Sequence, residues 1–182
     1  MKKRYILTGA PNAGKTTLLT ALAQRGYSTV DEAATALITQ AQLNGNQMPW
    51  ERVDFIDQVV TRQIAYQQQA DTLPEDVIFF DRSPFCTYAL CLFLEYLPTH
   101  TLLNEIDRIR HNGIYQKNVF FLEQLGFVEK TSARQISLGD CQRFERLHEQ
   151  VYTDFGYTCL KLPAESTEKR LNTLLHVIRH DS

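Results

Sequence analysis

The residues Gly9-Ala10-Pro11-Asn12-Ala13-Gly14-Lys15-Thr16 carry the spacing G-x-x-x-x-G-K-[ST]. A polyphosphate is held best when backbone N–H groups wrap it, and a loop of small residues lets the backbone come that close. Gly9 and Gly14 supply the freedom. The N–H groups from about Asn12 to Thr16 converge at the positive end of a helix. Lys15 reaches the β- and γ-phosphates as a point charge, and the Thr16 hydroxyl is placed to ligate Mg²⁺. Gly9, Pro11, Asn12, Ala13, Gly14, Lys15, Thr16 and Thr17 are therefore the candidate contacts to a nucleoside triphosphate, with ATP and Mg²⁺ as the expected cofactors.

Three further groups could complete a phosphoryl transfer. Asp81 directly follows the apolar run Val77 to Phe80, where a carboxylate can hold the metal through water or accept a hydroxyl proton; capping the next helix is its other possible use. Arg82 adds a cation suited to an anionic group in the site or to an ion pair. Glu32, with Asp31 beside it, ends a second short apolar run and can accept a hydrogen bond from an acceptor hydroxyl or act as its base; a helix-start acid facing the dipole is the alternative. Arg134, in the polar stretch Glu123 to Gly139, is the candidate to close over the transferred group, with Arg143 second. Lys15, Glu32, Asp81, Arg82 and Arg134 form the catalytic set, and Thr16 and Asp81 the metal set.

These side chains need a scaffold that brings separate strand ends together. Tyr5–Thr8, Tyr27–Val30, Val77–Phe80, Val119–Leu122 and Tyr157–Leu162 read as buried strands. Helices are predicted over 16–25, 33–42, 50–69, 84–97, 104–111, 140–155 and 166–179, with Gly26 ending the first, Pro98 ending the fourth and Ser166 capping the last. Val53, Ile56, Val60 and Ile64 form one stripe on the third. Strands alternating with helices give an α/β three-layer fold, a parallel sheet covered on both faces, with the ligand at the carboxyl ends of the strands.

Composition narrows the partners. The 182 residues suit a single domain, expected to span 1–182 with a lid-like segment at about 123–145. Lys+Arg 19 against Asp+Glu 21 leaves a net charge of -2, which offers no broad cationic field for nucleic acid or an anionic membrane. No apolar run approaches the roughly 20 residues of a membrane span, and no signal-peptide core follows the basic start, so a cytoplasmic protein is expected. Cys86, Cys91, Cys141 and Cys159 form no C-x-x-C pair and His100, His111, His148, His176 and His180 are scattered, so neither set is assigned chemistry.

Together, Gly9 to Thr17, Gly26-Tyr27 leading to Asp31-Glu32-Ala33-Ala34, Pro49-Trp50, Arg62-Gln63, Phe79-Phe80-Asp81-Arg82 and Tyr152 to Gly156 resemble the small AAA-labelled P-loop ATPase/kinase family. That family is similar to the nicotinamide-riboside kinase domain of bacterial NAD regulators and, more remotely, to deoxynucleoside and thymidylate kinases. The resemblance covers about residues 4 to 180. It implies a P-loop NTPase fold with five parallel strands in the order 2-3-1-4-5, MgATP at Gly9 to Thr17, an acceptor near Glu32 and Arg82, and an arginine-bearing lid around Arg134. The usual kinase lid has several arginines close together, whereas only Arg134 lies in this loop. The length leaves no room for the helical lid domain and sensor arginines of AAA+ motors.

The function expected is MgATP-dependent transfer of a γ-phosphoryl group to a hydroxyl of a small nucleoside-like or ribosyl acceptor. The alternative is an ATPase or nucleotide-dependent switch whose helix from Trp50 to Gln69 recognises a protein or lipid. The absence of an [NT]-K-x-D guanine-reading motif disfavours a Ras-like GTPase. Trp50, Phe85 and Tyr88 are candidates to stack on an acceptor base, with packing at a helix start the equal alternative for Trp50 after Pro49, and whether the acceptor already carries a phosphate is open.

Overall fold

A computed structural model describes residues 2–124 and 138–181. Five strands, β1 (Lys3–Gly9), β2 (Ser28–Val30), β3 (Val77–Asp81), β4 (Asn118–Leu122) and β5 (Thr158–Leu162), form one parallel sheet in the order β2-β3-β1-β4-β5. This is the expected order, with β1 at the centre. Successive side chains of a strand point to opposite faces, and the central strands use both. Tyr5, Leu7, Phe79 and Phe120 pack beneath α1 (Lys15–Gln24) and α7 (Thr167–His180). Ile6, Ile78, Phe80 and Val119 pack on the other face. Covering them are α2 (Ala33–Leu43), α3 (Phe55–Ala70), α4 (Pro84–Phe93), α5 (His100–Asn112) and α6 (Leu138–Asp154). Both faces being covered explains why the strands are apolar without alternation.

Three helices differ from the expected spans. The run 50–69 is broken: a 3₁₀ turn over Pro49–Glu51 precedes α3, Arg52 takes an extended conformation, and Val53 is 97% exposed rather than on the apolar stripe. Proline at the first position favours the short turn but cannot carry a helix through from the preceding chain. Helix α4 stops at Phe93, before Pro98, because Glu95 adopts the left-handed conformation (φ 59) and leaves Leu97 exposed. Helix α5 starts at His100 rather than 104, because the Thr99 hydroxyl accepts a hydrogen bond from the Leu102 N–H at 3.2 Å. Among the described residues no helix is long and apolar enough to cross a membrane.

The register assembles the site. Asp81 pairs with Leu7 and Gly9 with Leu122, so the ends of β3, β1 and β4 lie side by side. The Arg82 N–H donates to the Leu7 carbonyl at 3.0 Å and carries the ladder one residue beyond the strand.

Candidate active site

The loop between β1 and α1 turns on two glycines whose requirements differ. Gly9 has φ 134, and a Cβ there would lie 2.4 Å from the Leu122 carbonyl oxygen. Its neighbour β4, as much as a ligand, excludes a side chain. Gly14 caps α1 in the left-handed conformation (φ 86), and Asn12, a residue type that tolerates that region, shares it at φ 62. The first N–H groups of a helix have no partner within it, so the start of α1 presents donors to the loop. Lys15 is buried, and its ammonium donates to the carbonyls of Gly9 (3.2 Å) and Ala10 (2.9 Å). Thr16 and Thr17 are exposed on the first turn of α1.

At the end of β3, Asp81 is buried beside the loop. The cap position of α4 belongs to Ser83, not Asp81, so helix capping does not account for the acid. Arg82 occupies a left-handed conformation (φ 70) that only strong surroundings impose on a side-chain-bearing residue. Those surroundings are clear. Arg82 Nε lies 2.8 Å from Glu32 Oε1, Arg82 Nη1 lies 3.2 Å from His148 Nε2, and the guanidinium sits 5.6 Å from the Phe144 ring centroid. Burial alone would pull the Arg82 pKa down, but the Glu32 carboxylate, helped by Cys86 and Asp81, outweighs it and leaves the guanidinium above its ordinary value.

His148 is fully buried, and burial followed by the Arg82 charge pushes its pKa down to about 3. A neutral imidazole has one donor and one acceptor. Nδ1 is 2.8 Å from the Phe144 carbonyl and must donate there, which assigns Nε2 as acceptor toward Arg82. Glu32 stands at the cap position of α2 but its side chain makes no cap hydrogen bond. It turns instead to Arg82, and its Oε2 accepts from Thr35 Oγ1 at 2.7 Å.

Around this cluster opens a cleft of about 420 Å³, reaching Pro11 of the loop at one side. Trp50, Phe55, Phe93 and Phe144 give it aromatic walls, and Gln63 and Thr87 give it a polar patch. Thr87 Oγ1 donates to Gln63 Oε1 at 3.1 Å, fixing which end of the amide is engaged by protein. Glu32 and Arg82 are the charged residues among the described residues that line it, and they are paired with each other.

The structure thus gathers the loop, Glu32, Asp81 and Arg82 at one end of the sheet. Arg134 lies outside the described residues, as does most of the lid-like segment. Arg143 is exposed on α6, 3.5 Å from Glu95 and with its guanidinium 5.2 Å from the Phe93 ring centroid. Of the expected stacking residues, Trp50 lines the cleft. Phe85 instead is fully buried against Tyr152, Phe155 and Tyr157, and Tyr88 packs edge-on to Phe155. Both belong to the core because they point from α4 toward α6 and β5.

His148, one of five histidines scattered in the sequence, is the main functional residue that sequence reasoning misses. The usable signal was its place in the series Phe144, His148, Tyr152, one face of a helix at intervals of four. Tyr152 continues that face, its hydroxyl 2.7 Å from Ser83 Oγ and 3.0 Å from Cys86 Sγ.

A family model described as an AAA domain matches residues 4–170. Among solved structures, the deoxyadenosine kinase from M. mycoides with bound dATP is similar over 97% of this chain and 99% of that one, with a TM-score of 0.59 and 15% sequence identity. At that identity the likeness is one of fold. No curated protein matches the chain in sequence.

Proposed function

Taking as premise that the chain belongs to this AAA-domain family of P-loop proteins, we propose that it is a phosphotransferase that moves the γ-phosphoryl group of MgATP to a hydroxyl of a small, uncharged, nucleoside-like acceptor. The observation that carries this is the cleft reaching from Pro11 of the phosphate loop to the Glu32–Arg82 pair. A hydrolase needs room for water beside the γ-phosphate; a walled pocket of about 420 Å³ there has the size of a small-molecule site.

Charge argues for the class of acceptor. A monophosphate would require cations not already neutralised, and among the described residues the lining pairs its guanidinium, that of Arg82, with a carboxylate. Aromatic walls with the Gln63 amide oriented by Thr87 suit a planar ring bearing hydrogen-bonding edges. The hydroxyl to be phosphorylated would lie between Glu32 and the loop.

In the transfer, Glu32 accepts the hydrogen bond of the acceptor hydroxyl and takes its proton as the oxygen bonds to the γ-phosphorus. The bond from that phosphorus to the β–γ bridging oxygen breaks and ADP leaves. Lys15 and the loop N–H groups stabilise charge on the phosphate oxygens. Arg82, held by Glu32 and His148, orients the carboxylate. The Thr16 hydroxyl and Asp81 carboxylate are hard oxygen donors at the loop edge and fit Mg²⁺, with Arg134 the candidate to close from the lid. Thr16 and Asp81 would hold the metal, which would supply positive charge to offset that of the phosphates.

The test is ADP release from MgATP across a panel of nucleosides, nicotinamide riboside and nucleoside monophosphates. Release that depends on a nucleoside supports the proposal; release dependent on a monophosphate moves the acceptor class to nucleotides. Slow release indifferent to every acceptor favours the ATPase or switch, whose proposed partner helix already uses Phe55, Ile56, Val59 and Val60 in the core.

A further inference from the structure

A buried arginine far along the chain from every motif reaches the phosphate loop. Arg170, in the first turn of α7, is 3% exposed and donates to three backbone carbonyls: Nη1 to Ala13 at 2.5 Å, Nε to Pro163 at 2.6 Å and Nη2 to Glu123 at 2.7 Å. Pro163 and Glu123 directly follow β5 and β4, and the Glu123 N–H itself donates to Leu162 O at 3.0 Å. One guanidinium therefore ties the ends of the adjacent strands β4 and β5 to the loop between β1 and α1. Only arginine has donors in a planar fork wide enough for this; a lysine ammonium is a single point at the end of a flexible stem.

The contact to Ala13 has a consequence on the opposite side of the same peptide. No peptide bond among the described residues is cis. In a trans peptide the C=O of one residue and the N–H of the next point in opposite directions and lie in one plane. Holding the Ala13 carbonyl toward Arg170 holds the Gly14 N–H away from it. Gly14 most needs such a hold, since glycine at φ 86 lacks the side chain that would otherwise limit rotation.

We propose that Arg170 is a positioning residue for nucleotide binding: by gripping the Ala13 carbonyl it pre-aims the Gly14 N–H at the phosphate. The inference rests on the reading of Gly9–Thr16 as a phosphate loop. It touches no nucleotide and acts through one peptide plane. Its loss leaves that plane free to turn, so binding must order it first.

Titration calorimetry of the full chain with MgADP and MgATP separates the two claims. Failure of the wild type to bind either would overturn the phosphate-loop reading and this inference with it. Given wild-type binding, R170K and R170Q are expected to weaken both nucleotides alike by about ten- to a hundredfold, the worth of one hydrogen bond to a charged group. The acceptor KM is expected to stay at its wild-type value. The Gly14 amide resonance, which moves on MgADP binding in the wild type, is expected to move less in both variants. Circular dichroism gives the folded fraction. Wild-type affinity and an unchanged Gly14 response in a folded R170K would overturn the proposal, as would a loss of affinity in both variants that merely follows the folded fraction.

Discussion

Glu32 and Arg82 meet at 2.8 Å across the cleft, one from the start of α2 and the other from the residue after β3. The pair joins two sequence features whose roles were each ambiguous alone. A helix-start acid and a surface arginine become a desolvated ion pair facing the loop, with the guanidinium side chain 9% exposed and the carboxylate side chain 18%. His148 completes it as a neutral acceptor on the far side of the guanidinium.

Replacing Glu32 by glutamine is expected to leave MgATP affinity within about twofold and to lower acceptor-dependent ADP release by about a hundredfold or more, the usual contribution of a positioned proton acceptor. Removing one charge of a buried pair also destabilises, here by about 2 kcal/mol. Calorimetry and a coupled ADP assay check the first two, and urea unfolding the third. Undiminished transfer in Glu32→Gln would remove the proposed role.

Lys15→Ala removes the ammonium that lies over the Gly9 and Ala10 carbonyls. MgATP affinity is expected to fall at least tenfold, on the order of one charge-assisted contact, and acceptor-dependent turnover with it. Calorimetry reads the affinity; equal binding by the variant would show that phosphate is held elsewhere.

Gly9→Ala is expected to destabilise the fold by about 2 kcal/mol or more even without nucleotide, since the added Cβ meets the Leu122 oxygen at 2.4 Å in a backbone conformation that L side chains avoid. Urea unfolding measures this. A wild-type midpoint would mean that β1 and β4 can part at their ends without cost.

His148 makes stability pH-dependent. Its pKa in the folded state, about 3, lies below the ordinary value of 6.5. Between those values the unfolded chain binds a proton that the folded chain refuses, so stability falls as pH drops from 6.5 toward 3, by up to about 1.4 kcal/mol per pH unit. Above 6.5 both states are neutral and the effect vanishes. Glutamine offers Arg82 an acceptor without titrating; His148→Gln is expected to flatten this part of a Tm-against-pH curve. A curve of unchanged slope would show that His148 is not its source.

Much of the fold was legible because its signals are local. Five apolar runs marked the strands, and the alternation with helices implied their parallel pairing. Helix ends were less so: the 3₁₀ turn at Pro49 and the left-handed Glu95 interrupt patterns that hydrophobic spacing alone carries through. Likewise Phe85 and Tyr88 have the types of a base-stacking pair, but α4 turns them toward the core, and rotation about a helix axis is set by neighbours.

The phosphate loop was determined by the sequence itself. Its chemistry lies in contiguous backbone, and glycines at two positions with a lysine next to the second dictate its shape wherever a strand precedes and a helix follows. The tertiary structure alone decided what surrounds it. His148 is 66 residues from Arg82 and Arg170 is 157 from Ala13. Neither contact has a local pattern, because the sheet order, rather than chain proximity, brings their backbones together. Only once those chains meet and exclude water does an arginine choose between a surface ion pair and a buried clamp.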